Sequence, residues 1–141
     1  MEIEKRKLQT RGDRTLGVVT FEIRDKDAMG RTGVLEIGSK EVDTPALMPV
    51  LNPHLHTPEL DEAEVVITNS YIIHGSDDYR SEAVENGLHE LLDFDGVVVT
   101  DSGSYQMSVY GESEVEVPNS EIVEFQREIG SDVVTPLDVP T

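Results

Sequence analysis

The chain has 141 residues, which suffices for one modest domain but not for a closed eight-stranded α/β barrel of at least roughly 200 residues. It carries 29 acidic and 11 basic residues, a formal net charge of -18, and no cysteine. The lack of cysteine excludes a disulfide scaffold, a thiolate nucleophile and a cysteine-ligated metal site within this sequence. The longest apolar runs, at 46–51 and 97–99, are far shorter than the roughly 18 residues of a membrane span, and the charged start at 1–14 does not resemble a signal peptide. We therefore expect a cytoplasmic protein with no membrane partner.

The acidic charge is unevenly distributed along the chain. Residues 1–31 hold eight basic and six acidic residues, whereas residues 32–141 hold three basic and 23 acidic residues. A field of this sign repels phosphate and disfavours nucleic-acid binding by the acidic part. Adaptation to concentrated salt, as in a halophile, would account for the excess because salt screens the self-repulsion. A very acidic but otherwise ordinary soluble surface is the alternative.

The first 45 residues have the pattern of antiparallel strands. Residues 16–23 and 32–37 are rich in β-branched side chains, and residues 29–31 and 38–40 have the composition of turns. From residue 46 onward, strand-like and helix-like segments alternate. The strand candidates are 46–51, 65–68, 96–100 and 132–135.

Helix signals lie between these strand candidates. Ser76, followed by two aspartates, resembles an N-cap with an acidic first turn, and Asn86-Gly87 ends that helix before a short turn at 88–92. A further helix begins at Pro118-Asn119, carries apolar residues at helical spacing, and ends at Gly130.

This alternation predicts an α/β fold with a parallel sheet that is buried on both faces. About four β/α units fit into residues 46–141. We therefore expect the first half of a (β/α)8 TIM-like barrel there, preceded by an N-terminal antiparallel β region over residues 1–45.

Polar residues follow three of the predicted strands, where side chains of α/β proteins meet at one face. They are 68–71, 101–106 and Asp138. Asp101 directly follows an apolar strand, and the next residues, Ser-Gly-Ser, allow a tight turn. A carboxylate there can act as nucleophile, general acid/base or cation ligand, and Tyr105 can stack on a base. The alternative is that Asp101 caps the next turn and Tyr105 belongs to the core.

The four histidines form no convincing metal site. His54 and His56 make a His-x-His pair without a third ligand nearby, so a surface or hydrogen-bonding role is favoured. We expect His74 to be a hydrogen-bonded structural histidine and His89 to face solvent. No residue of this chain is predicted to bind metal.

Several motifs in order resemble the tRNA-guanine transglycosylases over nearly all of residues 16–141. The strongest is GLHELLDFDG at 87–96 followed by VVVTDSGSYQ at 97–106. The Ser-Tyr pair at 104–105, where bacterial members have Gly-Phe, is similar to the archaeal branch. So are PALMPV at 45–50, SVYG at 108–111, EFQ at 124–126, IGSD at 129–132 and LDVPT at 137–141.

The resemblance implies exchange of guanine 15 in the tRNA D-loop for 7-cyano-7-deazaguanine, a step towards archaeosine. It implies a double displacement at the ribose C1′, two catalytic aspartates, a (β/α)8 barrel and a bound zinc. Asp101 matches the first aspartate, which is either the nucleophile or a general acid/base. Asp138 matches the carboxylate that binds the purine N–H edge, and Tyr105 matches the aromatic residue that covers the base.

The chain departs from the family in what it lacks. The second aspartate, the Cys/His zinc ligands and the RNA-binding domains would all lie beyond Thr141. The implied partners are tRNA, guanine and 7-cyano-7-deazaguanine, together with the remaining half of the enzyme or a second copy. The alternative function is an inactive relic, or a regulatory binding partner of a complete transglycosylase.

Overall fold

A computed structural model describes residues 18–55, 62–106 and 117–138. Its first part is an antiparallel sheet of β1 (Val19–Asp27), β2 (Gly30–Ile37) and β3 (Lys40–Thr44), in that order. Two-residue turns at 28–29 and 38–39 join the strands. The predicted antiparallel region is therefore confirmed over the described residues, with β1 displaced towards its C-terminal side.

The second sheet is parallel, and its strands are neighbours in chain order. It contains β4 (Val65–Asn69), β5 (Val97–Asp101) and β6 (Val133–Val134). The predicted strand at 46–51 is wrong over most of its length, because only Val50 forms a parallel bridge, to Ile67. Pro49 lies within this stretch and removes an N–H donor that a regular ladder would need, and Pro45 directly precedes the stretch.

Four helices lie wholly within the described ranges beside the parallel strands: α1 (Ser70–Gly75), α2 (Asp77–Asn86), α3 (Leu88–Leu92) and α4 (Asn119–Glu128). The side chain of Ser76 caps α2, and Gly130, with φ of 83°, follows the end of α4, as predicted. The sequence analysis missed α1. It begins directly at the end of β4, where the Asn69 side chain accepts a hydrogen bond from the Ile72 amide at 3.0 Å.

Two apolar clusters hold these elements together. The larger one lies between the parallel sheet and the helices, and the smaller one joins the two sheets through Ile37, Val42, Val65 and Val97. The larger cluster includes fully buried side chains from both layers: Val66, Val98, Ile73, Ala83, Leu88, Ile122 and Ile129. The structure is thus mixed α/β, with one antiparallel and one parallel sheet that share a core.

His89 does not face solvent, contrary to the sequence prediction. Its Nε2 lies 3.0 Å from Asp132 Oδ2, and its Nδ1 lies 2.8 Å from the Phe94 carbonyl oxygen. Lys40 donates to the same Asp132 oxygen at 3.0 Å and to the Gly96 carbonyl at 2.8 Å. We call Lys40, His89 and Asp132 the basal clasp, because they join β3, α3 and the start of β6 at the amino ends of the parallel strands.

The basal clasp shifts the proton affinities of two of its members. The hydrogen bond to Asp132 raises the pKa of His89, against the opposing effect of burial. Burial alone would raise the pKa of Asp132, but hydrogen bonds from His89, the Val98 amide and Lys40 outweigh it and lower that pKa. Both shifts favour the charged forms of the two side chains, the protonated His89 and the ionised Asp132.

Candidate functional site

A pocket of about 260 Å³ opens at the carboxyl ends of β4 and β5. Residues 50–53, 67–69, Ile72, Asp101 and Gln106 line it. This is the face at which α/β proteins carry their functional side chains. Two lining atoms, Thr68 Oγ1 and Gln106 Oε1, are buried and have no hydrogen-bond partner within the part of the chain that the structure describes. The pocket therefore offers polar groups that a ligand can engage.

Asp101 is the last residue of β5 and is partly exposed. Its Oδ2 accepts from the Asn69 side-chain amide at 3.4 Å, and its Oδ1 accepts from the Gly103 backbone N–H at 3.3 Å. Both bonds are long, so the carboxylate keeps lone pairs for a further partner. The bond to Gly103 also means that Asp101 caps the following turn, so the functional and the capping interpretations describe the same side chain.

The turn after Asp101 requires glycine at position 103. Gly103 has φ of +79°, and a Cβ there would lie 2.3 Å from Tyr71 Cβ and 3.1 Å from Asn69 Oδ1. A side chain would push the loop away from α1 and from the residue that supports Asp101. This close approach fixes where residues 104–106 emerge beside the pocket.

Ser104 connects this loop to Asp138. Its hydroxyl donates a short hydrogen bond to Asp138 Oδ1, which holds the pKa of that exposed carboxyl below its usual value, assisted by the backbone N–H of Asp138 itself. Tyr105 is 66% exposed, so the interpretation of Tyr105 as a core residue is wrong. The structure brings the three predicted site residues, Asp101, Tyr105 and Asp138, to one end of the parallel sheet.

Asn69, one of the polar residues predicted at the strand end 68–71, contacts Asp101 directly. One amide group caps α1 through its oxygen and supports Asp101 through its nitrogen. Ser70, the next residue, donates to the Asp101 carbonyl oxygen at 2.7 Å. The signal in the sequence was an asparagine directly after an apolar strand, a position that favours a helix cap.

The other histidines have structural surroundings. His74 Nε2 lies 3.3 Å from Glu121 Oε1 and its ring packs edge-on against Phe125, which confirms the structural role predicted for it. His54 packs edge-on against Tyr79, and His56 lies outside the described residues.

The described residues do not form a zinc site. Within residues 18–55, 62–106 and 117–138 no group of three or more His, Cys, Asp or Glu residues could hold a metal ion, and the sequence has no cysteine. In the same ranges no helix is long and apolar enough to cross a membrane.

Comparison with known proteins gives a consistent picture. Residues 25–141 match the model of the family described as queuine tRNA-ribosyltransferase (TGT). The chain is similar to the tRNA-guanine(15) transglycosylase of Methanosarcina mazei, with 54% identity over 126 residues, 86% of this chain and 25% of that relative. It is 49% identical to the enzyme of that name from Haloarcula marismortui over 132 residues, 88% of this chain and 26% of that relative. For the Pyrococcus furiosus enzyme the identity is 50% over 137 residues, 94% of this chain and 23% of that relative. The chain spans about a quarter of the length of these curated relatives.

Proposed function

The chain belongs to the queuine tRNA-ribosyltransferase family, and from that membership we propose that it supplies part of the active site of a tRNA-guanine(15) transglycosylase. The reaction would exchange guanine in the tRNA D-loop for 7-cyano-7-deazaguanine. The observation that carries the proposal is the position of Asp101, a carboxylate with free lone pairs at the edge of a pocket.

Asp101 is proposed to act at the ribose C1′ of the target nucleotide. In the first displacement a carboxylate oxygen bonds to C1′ while the bond from C1′ to guanine breaks, and guanine leaves with a proton. In the second, the nitrogen of 7-cyano-7-deazaguanine bonds to C1′, the ester bond breaks, and the incoming base gives up its proton. Acting instead as a general acid/base beside a second aspartate, Asp101 would move the same protons without forming the ester.

Asp138 and Tyr105 are proposed to bind the base. An ionised carboxylate accepts hydrogen bonds at both oxygens and donates none, and the lowered pKa of Asp138 favours this form. It would accept hydrogen bonds from the N–H edge of the purine. The exposed ring of Tyr105, one residue after Ser104, is available to cover a flat base.

The architecture is proposed to be the start of a (β/α)8 barrel over residues 46–141, with residues 1–45 as an antiparallel β region. Parallel strands that are neighbours in chain order, as in β4, β5 and β6, support this arrangement. The two parts share one apolar cluster, so we expect them to fold together.

The partners are proposed to be tRNA and the two bases. Residues 32–141 are strongly acidic and repel phosphate, so the main contacts to the tRNA backbone would come from other parts of the protein. The zinc that the family implies would likewise be bound elsewhere, and no step above passes through it.

Incorporation of radiolabelled guanine into unmodified tRNA tests the proposal. The chain is assayed in multimolar KCl alone and joined to the portion of the Haloarcula marismortui relative that it does not match. We expect exchange in the joined protein and a loss of at least about 100-fold with Asp101→Asn, which removes the reacting carboxylate.

Asp95→Asn is the matched control and should leave guanine incorporation unchanged. It is the same substitution at an exposed aspartate near the other end of β5. Exchange that survives Asp101→Asn would contradict the proposal. If neither the chain alone nor the joined protein incorporates guanine without any substitution, the inactive relic or regulatory partner is favoured. A covalent adduct with labelled tRNA on a denaturing gel, mapped to Asp101 by mass spectrometry of the digested protein, would identify Asp101 as the nucleophile.

A further inference from the structure

One hydroxyl group binds the backbone on both sides of Asp101. Thr135 Oγ1 donates to the Thr100 carbonyl oxygen at 2.9 Å and accepts from the Ser102 amide at 2.9 Å. We propose that Thr135 is a positioning residue for Asp101 and that Gln126 holds Thr135 in place. This inference rests on the proposed function, because it assigns a role to residues that do not touch the substrate.

The Thr135 hydroxyl forms its hydrogen bonds at the point where the backbone ladder between β5 and β6 ends. The pairing of β5 with β6 stops at Thr100 and Val134, one residue before Asp101 and one before Thr135. Beyond that point no backbone ladder holds Asp101 from the β6 side. The side chain of Thr135 supplies both missing bonds, one to each neighbouring peptide group of Asp101. The orientation of the carboxylate is therefore set by a side chain that reaches across from the adjacent segment.

Gln126, a fully buried residue of α4, fixes Thr135 in turn. Its Oε1 accepts from the Thr135 amide at 3.0 Å, and its Nε2 donates to the Thr135 carbonyl at 2.9 Å. The same Oε1 accepts from the Thr100 hydroxyl at 2.6 Å, and Nε2 also donates to the Ile122 carbonyl. Both lone pairs and both N–H groups of the amide are thus used, which leaves one orientation for the side chain.

The same helix also holds the segment that leads to Asp138. Asn119 Oδ1, at the first residue of α4, accepts from the Leu137 amide at 2.9 Å. Gln126 and Asn119 therefore bind the chain three residues and one residue before Asp138. Through them, α4 sets the position of the base-binding carboxylate relative to Asp101.

Loss of the Thr135 hydroxyl should impair the chemical step more than substrate binding. Catalytic groups need placement within about 0.5 Å, and an error near 1 Å costs about 100-fold in rate. In the joined protein described above, we expect Thr135→Val to lower kcat about 100-fold and to leave KM for tRNA within about 2-fold. Thr135→Ser keeps the hydroxyl and should restore most of kcat. Thr135→Cys, with a weak donor of similar size, should fall between them.

Amide hydrogen exchange supplies a readout that does not depend on activity. Thr135→Val should accelerate exchange at Ser102, while the amides of β4 keep their protection. Thr68→Val is the matched control for this readout. It removes a buried threonine hydroxyl at the register position facing Thr100, and that hydroxyl has no partner within the described residues, so Ser102 exchange should not change.

The outcomes separate this inference from the proposed function. If Asp101→Asn abolishes exchange of guanine but Thr135→Val retains wild-type kcat, the positioning role is overturned and the function stands. If the Thr135→Val variant loses amide protection in all of its elements, and Thr135→Ser does not restore it, Thr135 is needed for folding. That result would also overturn the positioning role. If the Asp101→Asn variant stays active, the proposed function is contradicted, whatever the rate of amide hydrogen exchange at Ser102.

Discussion

The proton affinity of Asp138 depends on one neighbouring hydroxyl. Ser104 donates to its carboxylate, and this bond stabilises the ionised form. At neutral pH the carboxyl would be ionised even without that bond, because an ordinary aspartate titrates near pH 3.9. Ser104 therefore has two effects on Asp138. At neutral pH it orients the carboxylate, and in acid it keeps the carboxyl ionised to a lower pH.

Ser104→Ala should raise the pKa of Asp138 towards the ordinary value. The physical reason is the loss of a donor to the ionised form. A titration of the side-chain carboxyl carbon by NMR measures the change. Ser39→Ala, in the turn between β2 and β3, is the control and should leave that pKa in place. An unchanged pKa in Ser104→Ala would show that the hydroxyl does not hold the carboxylate in solution.

The basal clasp acts at the scale of elements, since it ties β3, α3 and the start of β6 to one another. The raised pKa of His89 means that its stabilising contribution is complete below about pH 6.5, and is lost as pH rises through the folded-state pKa. The lowered pKa of Asp132 means that its contribution is complete above about pH 3.8, and is lost as pH falls through the folded-state pKa. The clasp is therefore strongest in the window between these values.

We expect the free energy of unfolding to decrease as pH rises from 6 to 9, because His89 loses its proton and Asp132 loses a charged partner. Urea denaturation at fixed salt measures this slope. His89→Gln should be less stable at pH 6 and should show a flatter slope above it. His54→Gln, which changes a histidine outside the clasp, should keep the wild-type slope. A wild-type slope in His89→Gln would contradict the assignment.

The sequence predicted those elements whose signals are local. The hairpin strands β1 and β2 have β-branched residues and turns next to them, and α2 and α4 have recognisable ends. It missed α1, where a strand passes directly into a helix without a separating turn. It overestimated the strand at 46–51, where apolar composition suggested a ladder that Pro49 interrupts.

The candidate site was predictable only in part, for a similar reason. The strand-end pattern predicted Asp101, Tyr105 and Asp138, and the family motifs implied a role for each. Asn69 has a local signal as a helix cap, but that signal does not show that it contacts Asp101, and no local pattern indicates the hydrogen bonds made by Thr135 and Gln126. His89 shows the same limit, since its partners Lys40 and Asp132 are distant in sequence and become neighbours only through the packing of the two sheets.

The net charge of the whole molecule, -18, leads to a prediction about salt. Like charges on one compact chain repel each other and destabilise the folded state. At 0.1 M salt the Debye length is about 10 Å, so neighbouring surface charges interact, whereas at 1 M it is about 3 Å and they do not. The acidic residues therefore make folding dependent on ionic strength.

We expect the thermal midpoint of the protein to rise by several degrees between 0.1 M and 2 M KCl, since about 1 kcal/mol of relieved repulsion shifts the midpoint by roughly 2–4 °C in a domain of this size. The double variant Glu82→Gln/Glu85→Gln, on the exposed side of α2, removes two negative charges and should be more stable than wild type in low salt. Its midpoint should also rise less with KCl. Circular dichroism melts at several KCl concentrations measure both effects. An equal rise in the variant and wild type would indicate that KCl acts through preferential exclusion from the surface, and that the acidic residues do not set the salt response.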